Sequence, residues 1–208
     1  MLSPKFLALL EAEDLKDKVV LDVGCGAGRL TLLIASRCRS VIGIDRDTTA
    51  IVQARQRAAA ERLANAEFSV VDAEAVEYDP FGPQLIVAHL CMSDAIIARC
   101  ARALAPGECL AFVAFHVDQW RETGRPSRFA YDEARLASVL RENGFVPEHL
   151  EVEREVTRFG TVQEGLAAAM GREEKWKADE RRQRYVEFLE KGGRTLTRSH
   201  LIVKARRQ

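Results

Sequence analysis

Three glycines at alternate positions, Gly24, Gly26 and Gly28, follow an acid, Asp22, near the start of the chain. Glycine lets a backbone turn sharply and approach a bound molecule with no Cβ in the way. The dinucleotide fingerprint needs Gly-x-Gly-x-x-Gly, but here the third glycine comes one residue early and Arg29 takes its place. Asp22 would repel a pyrophosphate and attract an ammonium group. The spacing therefore favours a ligand that carries positive charge.

The glycines lie between a predicted strand and a predicted helix. Residues 19–23 form a short apolar, β-branched run of the kind that is buried on both faces in a parallel sheet. Residues 30–34 then supply an apolar helix face. A strand, a glycine loop and a helix in this order bring the free N–H groups of the helix start towards an anionic or polar ligand group.

The composition indicates an ordinary globular protein. The chain has 208 residues, of which 47% are hydrophobic and 30% charged, which is enough for one substantial core. Lysine plus arginine equals aspartate plus glutamate, at 31 each. No global field would attract a polyanion, so nucleic acid is not an expected partner.

The cysteines indicate a reducing compartment. Their number is odd, no Cys-x-x-Cys pair occurs, and no histidine stands nearby at zinc-ligand spacing, so no metal is expected. Acidic residues within the first turns leave no apolar core for a signal peptide, and no apolar run approaches the roughly 20 residues of a membrane span. We expect a cytoplasmic protein without membrane partners. The cysteines are Cys25, Cys38, Cys91, Cys100 and Cys109.

Two further acids follow predicted strands. Asp45 comes directly after residues 41–44, where a carboxylate can accept hydrogen bonds from both hydroxyls of a ribose. That role would serve NAD equally well, and helix capping belongs more naturally to Asp47. Asp72 follows the predicted strand at residues 67–71. Asp45 therefore supports an adenosine-containing ligand, and two successive strands that end in acids after a glycine loop are a less common pattern than one.

The motif Asp22-x-Gly24-x-Gly26-x-Gly28, followed by Asp45 and Asp72, resembles the class I S-adenosylmethionine-dependent methyltransferases. The resemblance covers residues 17 to 145, and the remainder only in outline. It implies an α/β fold, a Rossmann-like three-layer sandwich with a mostly parallel seven-stranded sheet, an antiparallel edge strand, helices on both faces and extra C-terminal helices. It also implies a single domain over 1–208, in which residues 160–192 form a helical insertion before the last strand.

The cofactor implied by the resemblance is S-adenosylmethionine, with S-adenosylhomocysteine as its product. The methionine end would lie near Asp22, Gly24 and Gly26, the ribose at Asp45, and the adenine by Asp72 and the backbone N–H of Ala73. The full candidate set of cofactor-binding residues is Asp22, Gly24, Cys25, Gly26, Gly28, Asp45, Arg46, Asp72, Ala73 and His89.

The fourth predicted strand, residues 83–88, ends in His89-Leu-Cys91-Met. The Asn/Asp-Pro-Pro-Tyr/Phe of some amino-group methyltransferases and the Pro-Cys of cytosine enzymes are both missing here, so Cys91 is interpreted as a packed thiol rather than a nucleophile. His89 and His116 stand at strand ends, where each is either a structural residue or a general base. Side chains that could shape an acceptor pocket are Trp120, Tyr131 and Trp176.

Apolar periodicity and turn residues predict the elements outside the glycine loop. A helix over residues 3–13 either covers the cofactor or packs on the sheet edge. Tyr131-Asp132-Glu133 opens a helix that ends at Asn143-Gly144. Helices over 161–170 and 172–190 then precede a closing strand at 196–203.

The acceptor remains open at this level. A small molecule is expected because the chain is neutral and has no separate RNA-binding module, with an RNA or protein acceptor as the second interpretation. Arg181, Arg182 and Arg184 are interpreted as a solvated helix face, because acids interleave with them. A nicotinamide oxidoreductase is disfavoured by the glycine spacing, and a catalytically inert cofactor binder is a further alternative.

Overall fold

A computed structural model describes residues 2–169, 176 and 180–208. The chain divides into two compact units, each described by itself. Unit 1 comprises the residues up to Ala114, together with Ala134–Glu151 and Ile202–Gln208. Unit 2 comprises Phe115–Glu133 and Val152–Leu201.

The described residues form a mixed α/β fold. The strands are β1 (Val19–Val23), β2 (Ser40–Asp45), β3 (Ala66–Val70), β4 (Leu85–His89), β5 (Cys109–His116), β6 (Ala130–Tyr131), β7 (Phe145–Arg158) and β8 (Thr195–Arg207). The helices are α1 (Pro4–Glu11), α2 (Arg29–Ala35), α3 (Thr48–Ala60), α4 (Asp94–Ala103), α5 (Glu133–Glu142), α6 (Val162–Ala169) and α7 (Arg181–Glu190).

The strands form one sheet in the order β3-β2-β1-β4-β5-β8-β7, with β6 paired to β5. Strands β1 to β5 run parallel, and Leu21 of β1 lies between Ile42 of β2 and Ile86 of β4. All five residues of β1 are buried, as expected for a parallel strand covered on both faces. The Rossmann-like prediction is therefore confirmed.

Strands β7 and β8 are antiparallel. The N–H of Gln208 donates to the carbonyl of Gly144 at 3.0 Å, just before β7 begins. At the other end of the pair, the N–H of Phe159 donates to the carbonyl of Arg194 at 2.9 Å. The start of one strand thus meets the end of the other, which matches the predicted antiparallel edge.

One buried cluster of unit 1 lies between the sheet and helices α1 and α2. Ser3 caps α1, since its Oγ accepts from the N–H of Phe6 at 3.4 Å, and Pro4 takes the first helical position. Phe6 and Leu10 of α1 pack against Val20 of β1 and the other members of one buried cluster. This helix therefore anchors the start of the chain on the sheet.

An ion-pair network surrounds Glu13 in unit 1. Its side chain is only 8% exposed, and its Oε1 lies 2.6 Å from Lys204 Nζ and 2.7 Å from Arg206 Nη2. Lys18 Nζ lies 3.2 Å from Oε2, and Arg206 also pairs with Glu148 at 2.8 Å. Hydrogen bonding from Arg206, followed in importance by Lys204 and Lys18, lowers the pKa of Glu13 to about 2 despite its burial.

Unit 2 has a core of its own. Trp176, Tyr185 and Leu189 are buried together with Ala169 and Leu196. A carboxylate orders the neighbouring strand: Glu122 Oε1 accepts from Thr197 Oγ1 at 2.6 Å, and its Oε2 accepts from the N–H of Thr197 at 3.0 Å.

Two details differ from the prediction. Ala130 and Tyr131 form the short strand β6, which pairs with Phe115 and His116, so the following helix begins only at Glu133. Pairing with β5 overrides the helical pattern there. Among the described residues, the main path of the sheet has the predicted seven strands, and β6 adds a short eighth strand beside β5. The predicted helix 172–190 is described from Arg181 to Glu190, while residues 170–175 and 177–179 lie outside the described part.

Within the described residues, no helix is long and apolar enough to cross a membrane.

Candidate functional site

A cavity of about 360 Å³ opens in unit 1 beside the ends of β1 and β4. The glycine loop after β1 forms one wall, and His89 lies at the end of β4. The lining residues are Leu2, Asp22, Gly24, Cys25, Gly26, Ala27, Arg29, Leu30, Arg57 and His89. Since β1 and β4 are neighbours in the sheet but not in sequence, the cavity lies at a topological switch point, where open α/β sheets bind ligands.

Asp22 is the buried acid of this cavity. It is 1% exposed, and its Oδ2 accepts a hydrogen bond from Thr31 Oγ1 at 2.6 Å. Burial raises the pKa of Asp22 to about 7, an effect that the Thr31 hydrogen bonds oppose and the nearby Asp45 charge reinforces. A cationic ligand group would stabilise the ionised carboxylate.

The three glycines of the loop have different surroundings. All three have positive φ, at +70°, +53° and +79°. A Cβ on Gly24 would meet the Cβ and Sγ of Cys91 at 2.4 Å, and one on Gly28 would meet Ala54 Cβ at 3.0 Å. A Cβ on Gly26 would meet no described atom within 4 Å. Gly24 and Gly28 therefore permit tight packing, while Gly26 faces open space in the cavity wall.

Asp45 at the end of β2 holds the glycine loop. Its Oδ2 accepts from the N–H of Gly26 at 2.8 Å, and its Oδ1 accepts from the N–H of Asp47 at 2.9 Å. Asp47 caps α3, as predicted, with its Oδ1 accepting from the N–H groups of Thr49 and Ala50. The Asp45 carboxylate thus ties the loop after β1 to the loop after β2.

Asp72 and Ala73 lie in a turn just beyond β3. The N–H of Val71 donates to the Asp45 carbonyl at 3.0 Å, which connects this turn to the end of β2. The exposed Asp72 accepts from the N–H of Glu74 at 2.8 Å, and the Ala73 carbonyl accepts from Tyr78 Oη at 2.7 Å. Asp22, Asp45 and Asp72 accordingly belong to one edge of the sheet.

His89 lies at the end of β4, which pairs with β1 on the side away from β2 and β3. Its ring packs against that of Phe6, with 6.4 Å between centroids. Burial, with a smaller contribution from Arg29, lowers the pKa of His89 to about 4, so the ring is neutral at neutral pH. Leu90 next to it has φ +60°, a conformation that is rare for a branched side chain. Its N–H donates to the Val113 carbonyl at 2.7 Å, which ends the strand sharply.

The predicted set divides into two groups. Asp22, Gly24, Cys25, Gly26 and His89 line the cavity. Within the described part of the chain, the lining does not include the other predicted residues, which lie in the loop or beyond the next strand ends. These are Gly28, Asp45, the exposed Arg46, Asp72 and Ala73.

Sequence reasoning missed two arginines of the cavity. Arg29 follows the last glycine, and Arg57 of α3 reaches back so that its Nη1 donates to the Ala27 carbonyl at 3.1 Å. Arg57 lies three residues after Ala54, on the helix side that packs against the glycine loop. The sequence signal for Arg57 is a basic residue three positions after Ala54, on the same side of the predicted helix.

Cys91 is packed rather than reactive. It lies against Gly24, and burial, followed by the charges of Asp45 and Asp22, raises its pKa to about 11. Burial also raises the pKa of Cys25. A thiol that holds its proton this strongly is a poor nucleophile at neutral pH. The described residues contain no group of three or more side chains suited to a metal ion.

His116 belongs to unit 2 and is 4% exposed. The N–H of Asp118 donates to its Nδ1 at 3.2 Å, Ser199 Oγ lies 2.9 Å from the same nitrogen, and Glu133 Oε2 lies 3.3 Å from Nε2. Both ring nitrogens are thus engaged inside the unit, as is typical of a structural histidine. Tyr131 and Trp176, which were considered for an acceptor pocket, are also buried in this unit.

The chain belongs to the methyltransferase domain family, whose pattern matches residues 14–181. The 23S rRNA (uracil(1939)-C(5))-methyltransferase RlmD of Stenotrophomonas maltophilia is 42% identical over 66 residues, which are 32% of this chain and 14% of that protein. The ubiquinone biosynthesis O-methyltransferase of Acinetobacter baylyi is 34% identical over 102 residues, 46% of this chain and 43% of that protein. The chain therefore spans less than half the length of these curated relatives.

Solved structures share the whole fold. The YcgJ protein of Bacillus subtilis superposes with a TM-score of 0.76 at 13% identity, covering 99% of both chains. An S-adenosylmethionine-dependent methyltransferase of Mesorhizobium loti superposes with a TM-score of 0.64 at 18% identity, covering 98% of this chain and 96% of the other. At such identities the likeness concerns the fold alone.

Proposed function

We propose that the protein binds S-adenosylmethionine in the unit 1 cavity and transfers its methyl group to a small-molecule acceptor. The observation that carries this proposal is the buried Asp22 in the cavity wall beside Gly26, whose N–H is held by Asp45. This arrangement offers a negative group to an ammonium or sulfonium and an open glycine for close approach.

The residues present fit a ligand with both charges. Asp22 would attract the ammonium of a methionine moiety, while Arg29 and Arg57 on the same cavity would attract its carboxylate. Asp45 would accept hydrogen bonds from the ribose hydroxyls. Asp72 and the backbone N–H of Ala73 would form hydrogen bonds with the adenine. When bound, S-adenosylmethionine supplies a methyl group that is already activated on a positively charged sulfur.

The protein's contribution would be mainly alignment. Holding an acceptor and the methyl group in line removes much of the entropic barrier of a two-molecule reaction. His89, which is neutral at neutral pH, lies on the cavity and is placed to accept a proton from an acceptor that must lose one. The described geometry supports this role better for His89 than for the enclosed His116.

Isothermal titration with S-adenosylmethionine, S-adenosylhomocysteine and NAD tests the cofactor assignment. We expect the first two to bind and NAD to bind far more weakly, because Asp22 repels a pyrophosphate. Comparable or preferred binding of NAD would overturn the proposal. Decarboxylated S-adenosylmethionine tests the two arginines, since loss of the carboxylate should weaken binding to the wild type more than to Arg29→Gln or Arg57→Gln.

The acceptor is tested by turnover. A small-molecule acceptor is supported by the equal numbers of acidic and basic residues, 31 of each, and by the O-methyltransferase among the relatives. An rRNA methyltransferase is also among the relatives, so total RNA belongs in the panel beside metabolites and proteins. Methyl transfer to RNA alone would replace the small-molecule proposal, and cofactor binding without any transfer would favour an inert binder.

We also infer a cytoplasmic location, which the five free cysteines support.

A further inference from the structure

Unit 2 contains a second cavity, of about 330 Å³, lined by residues of α6, by Trp176 and by residues of α7. Its volume lies at the lower end of the range of small-molecule sites, about 300–1,000 Å³. Leu166, Ala169 and Tyr185 form an apolar wall. Leu166 is 37% exposed, so the cavity has an apolar rim that a ligand can reach from solvent. The proposed methyl transfer makes no use of this cavity.

Trp176, which lines this cavity, carries a buried hydrogen-bond donor that is unused among the described residues. The side chain is 1% exposed and is fixed by edge-on contacts with Trp120 and Tyr185, at centroid distances of 5.3 and 5.5 Å. Its indole N–H has no acceptor among the described residues. Buried donors are nearly always paired, because an unpaired one loses its hydrogen bonds to water without replacement. A ligand oxygen in the cavity would supply the missing acceptor.

Arg182 supplies a positive charge to the same cavity. Of the three arginines at the start of α7, Arg181 is buried and donates to the carbonyls of Arg125 and Pro126, at 3.2 and 3.1 Å. Arg184 forms an ion pair with Glu180, with 3.7 Å between Nη2 of the arginine and Oε2 of the glutamate. Arg182 is exposed, lines the cavity and forms no ion pair with the residues that the structure describes. Its guanidinium is therefore available to a carboxylate, sulfonate or phosphate.

We propose that the unit 2 cavity binds an apolar organic anion. The hydrocarbon or aromatic body contacts Leu166, Trp176 and Tyr185, while the anionic end is bound by Arg182 and accepts from the indole N–H. The proposal commits to a small molecule, because a cavity with one aromatic wall, one buried donor and one cation matches such a ligand in size and charge. It does not depend on the proposed methyl transfer.

Two fluorescent probes with a common skeleton test the proposal. 1-Anilinonaphthalene-8-sulfonate carries an anionic group, and N-phenyl-1-naphthylamine lacks it. We expect the wild type to bind the sulfonate more tightly than the neutral probe. Arg182→Gln should weaken sulfonate binding roughly tenfold, the scale of one charge-assisted contact, and leave the neutral probe unaffected. Arg184→Gln makes the same charge change on the same helix away from the cavity and should alter neither isotherm.

Two further variants distinguish loss of binding in the cavity from loss of folding. Ala167→Phe fills the cavity from an exposed position and should weaken both probes. Trp176→Phe keeps a ring but removes the N–H and should weaken the sulfonate selectively, with thermal unfolding checked by circular dichroism. Displacement of the sulfonate probe by excess S-adenosylhomocysteine would overturn the proposal, as would equal effects of Arg182→Gln and Arg184→Gln. Either result would place the probe elsewhere.

Discussion

The carboxylate of Asp45 accepts a hydrogen bond from the backbone N–H of Gly26 at 2.8 Å, so the acid after β2 holds the glycine loop that follows β1. The sequence predicts Asp45 as a ribose contact, and the structure shows its carboxylate as the acceptor that orders the glycine loop. If the same side chain contacts the ribose of a bound cofactor, as we propose, loop order and ligand affinity should change together when it is removed.

Asp45→Ala should weaken binding of S-adenosylhomocysteine by about 1–3 kcal/mol, the scale of lost hydrogen bonds to a charged group. It should also lower the melting temperature, because the N–H groups of Gly26 and Asp47 lose their acceptor. Calorimetric titration and thermal melts measure the two effects. Glu67→Ala, which removes an exposed acid from β3, is the matched control and should change neither. Unchanged affinity in a folded Asp45→Ala protein would remove Asp45 from the site.

Gly24→Ala should mainly reduce the stability of the fold, whereas Gly26→Ala should mainly reduce cofactor affinity. The first places a Cβ 2.4 Å from Cys91, so we expect a strongly destabilised protein, and Cys91→Gly in the same chain should restore part of the loss. The second has free space and should cost only about 1 kcal/mol for its positive φ, but its methyl group narrows the cavity. We expect a folded Gly26→Ala variant with reduced cofactor affinity. Normal affinity would mean that the loop does not approach the ligand.

Asp22→Asn should stabilise the ligand-free protein at neutral and alkaline pH. The pKa of Asp22 is raised from 3.8 to about 7 by burial, so between these values the unfolded chain binds fewer protons than the folded one. Stability therefore falls as pH rises across this range, and the variant escapes that loss. The difference should be absent below pH 4 and reach at most on the order of 4 kcal/mol above pH 7. Urea unfolding at several pH values measures it, and a difference independent of pH would contradict the assignment.

Binding of a cationic ligand should release a proton near pH 6. A ligand ammonium beside Asp22 favours the ionised carboxylate, so binding would drive its deprotonation. Titration in buffers with different ionisation enthalpies detects this release as a buffer-dependent heat. Asp22→Asn should remove the buffer dependence, and the same buffer dependence in that variant would assign the proton to another group.

Glu13→Gln should lessen the loss of stability in acid. Pairing with Arg206, Lys204 and Lys18 lowers the pKa of Glu13 from 4.5 to about 2, so the folded protein binds fewer protons than the unfolded chain between these values. The stabilisation is complete above pH 4.5 and is lost as pH falls towards 2. The wild type should thus be more stable than Glu13→Gln at pH 6, with the two converging near pH 2 in denaturant titrations. Parallel curves would show that the network adds no pH-dependent stability.

The part of the site that local pattern encodes was predictable. A β-branched run, a glycine loop and an acid after each of the next two strands place Asp22, Asp45 and Asp72 at one sheet edge, because parallel strands end together. The different surroundings of the glycines were not predictable, since Cys91 and Ala54 come from distant parts of the chain. The position of Arg57 on the cavity was not predictable either, because it depends on how α3 packs against the glycine loop. In the sequence, His116 and His89 each follow a predicted strand, and tertiary packing distinguishes the buried His116 ring from the His89 ring on the cavity.

The ionic network around Glu13 also has a consequence for protein synthesis. One of its hydrogen bonds joins residues 193 positions apart, so the acid is made long before its partner Arg206. At about 5–20 residues per second, translation needs roughly 10 to 40 s to supply that arginine. Of the basic partners of Glu13 that the structure describes, Lys18 is made first, and the ion pairs of Glu13 with Lys204 and Arg206 cannot form before the ribosome has synthesised the end of β8.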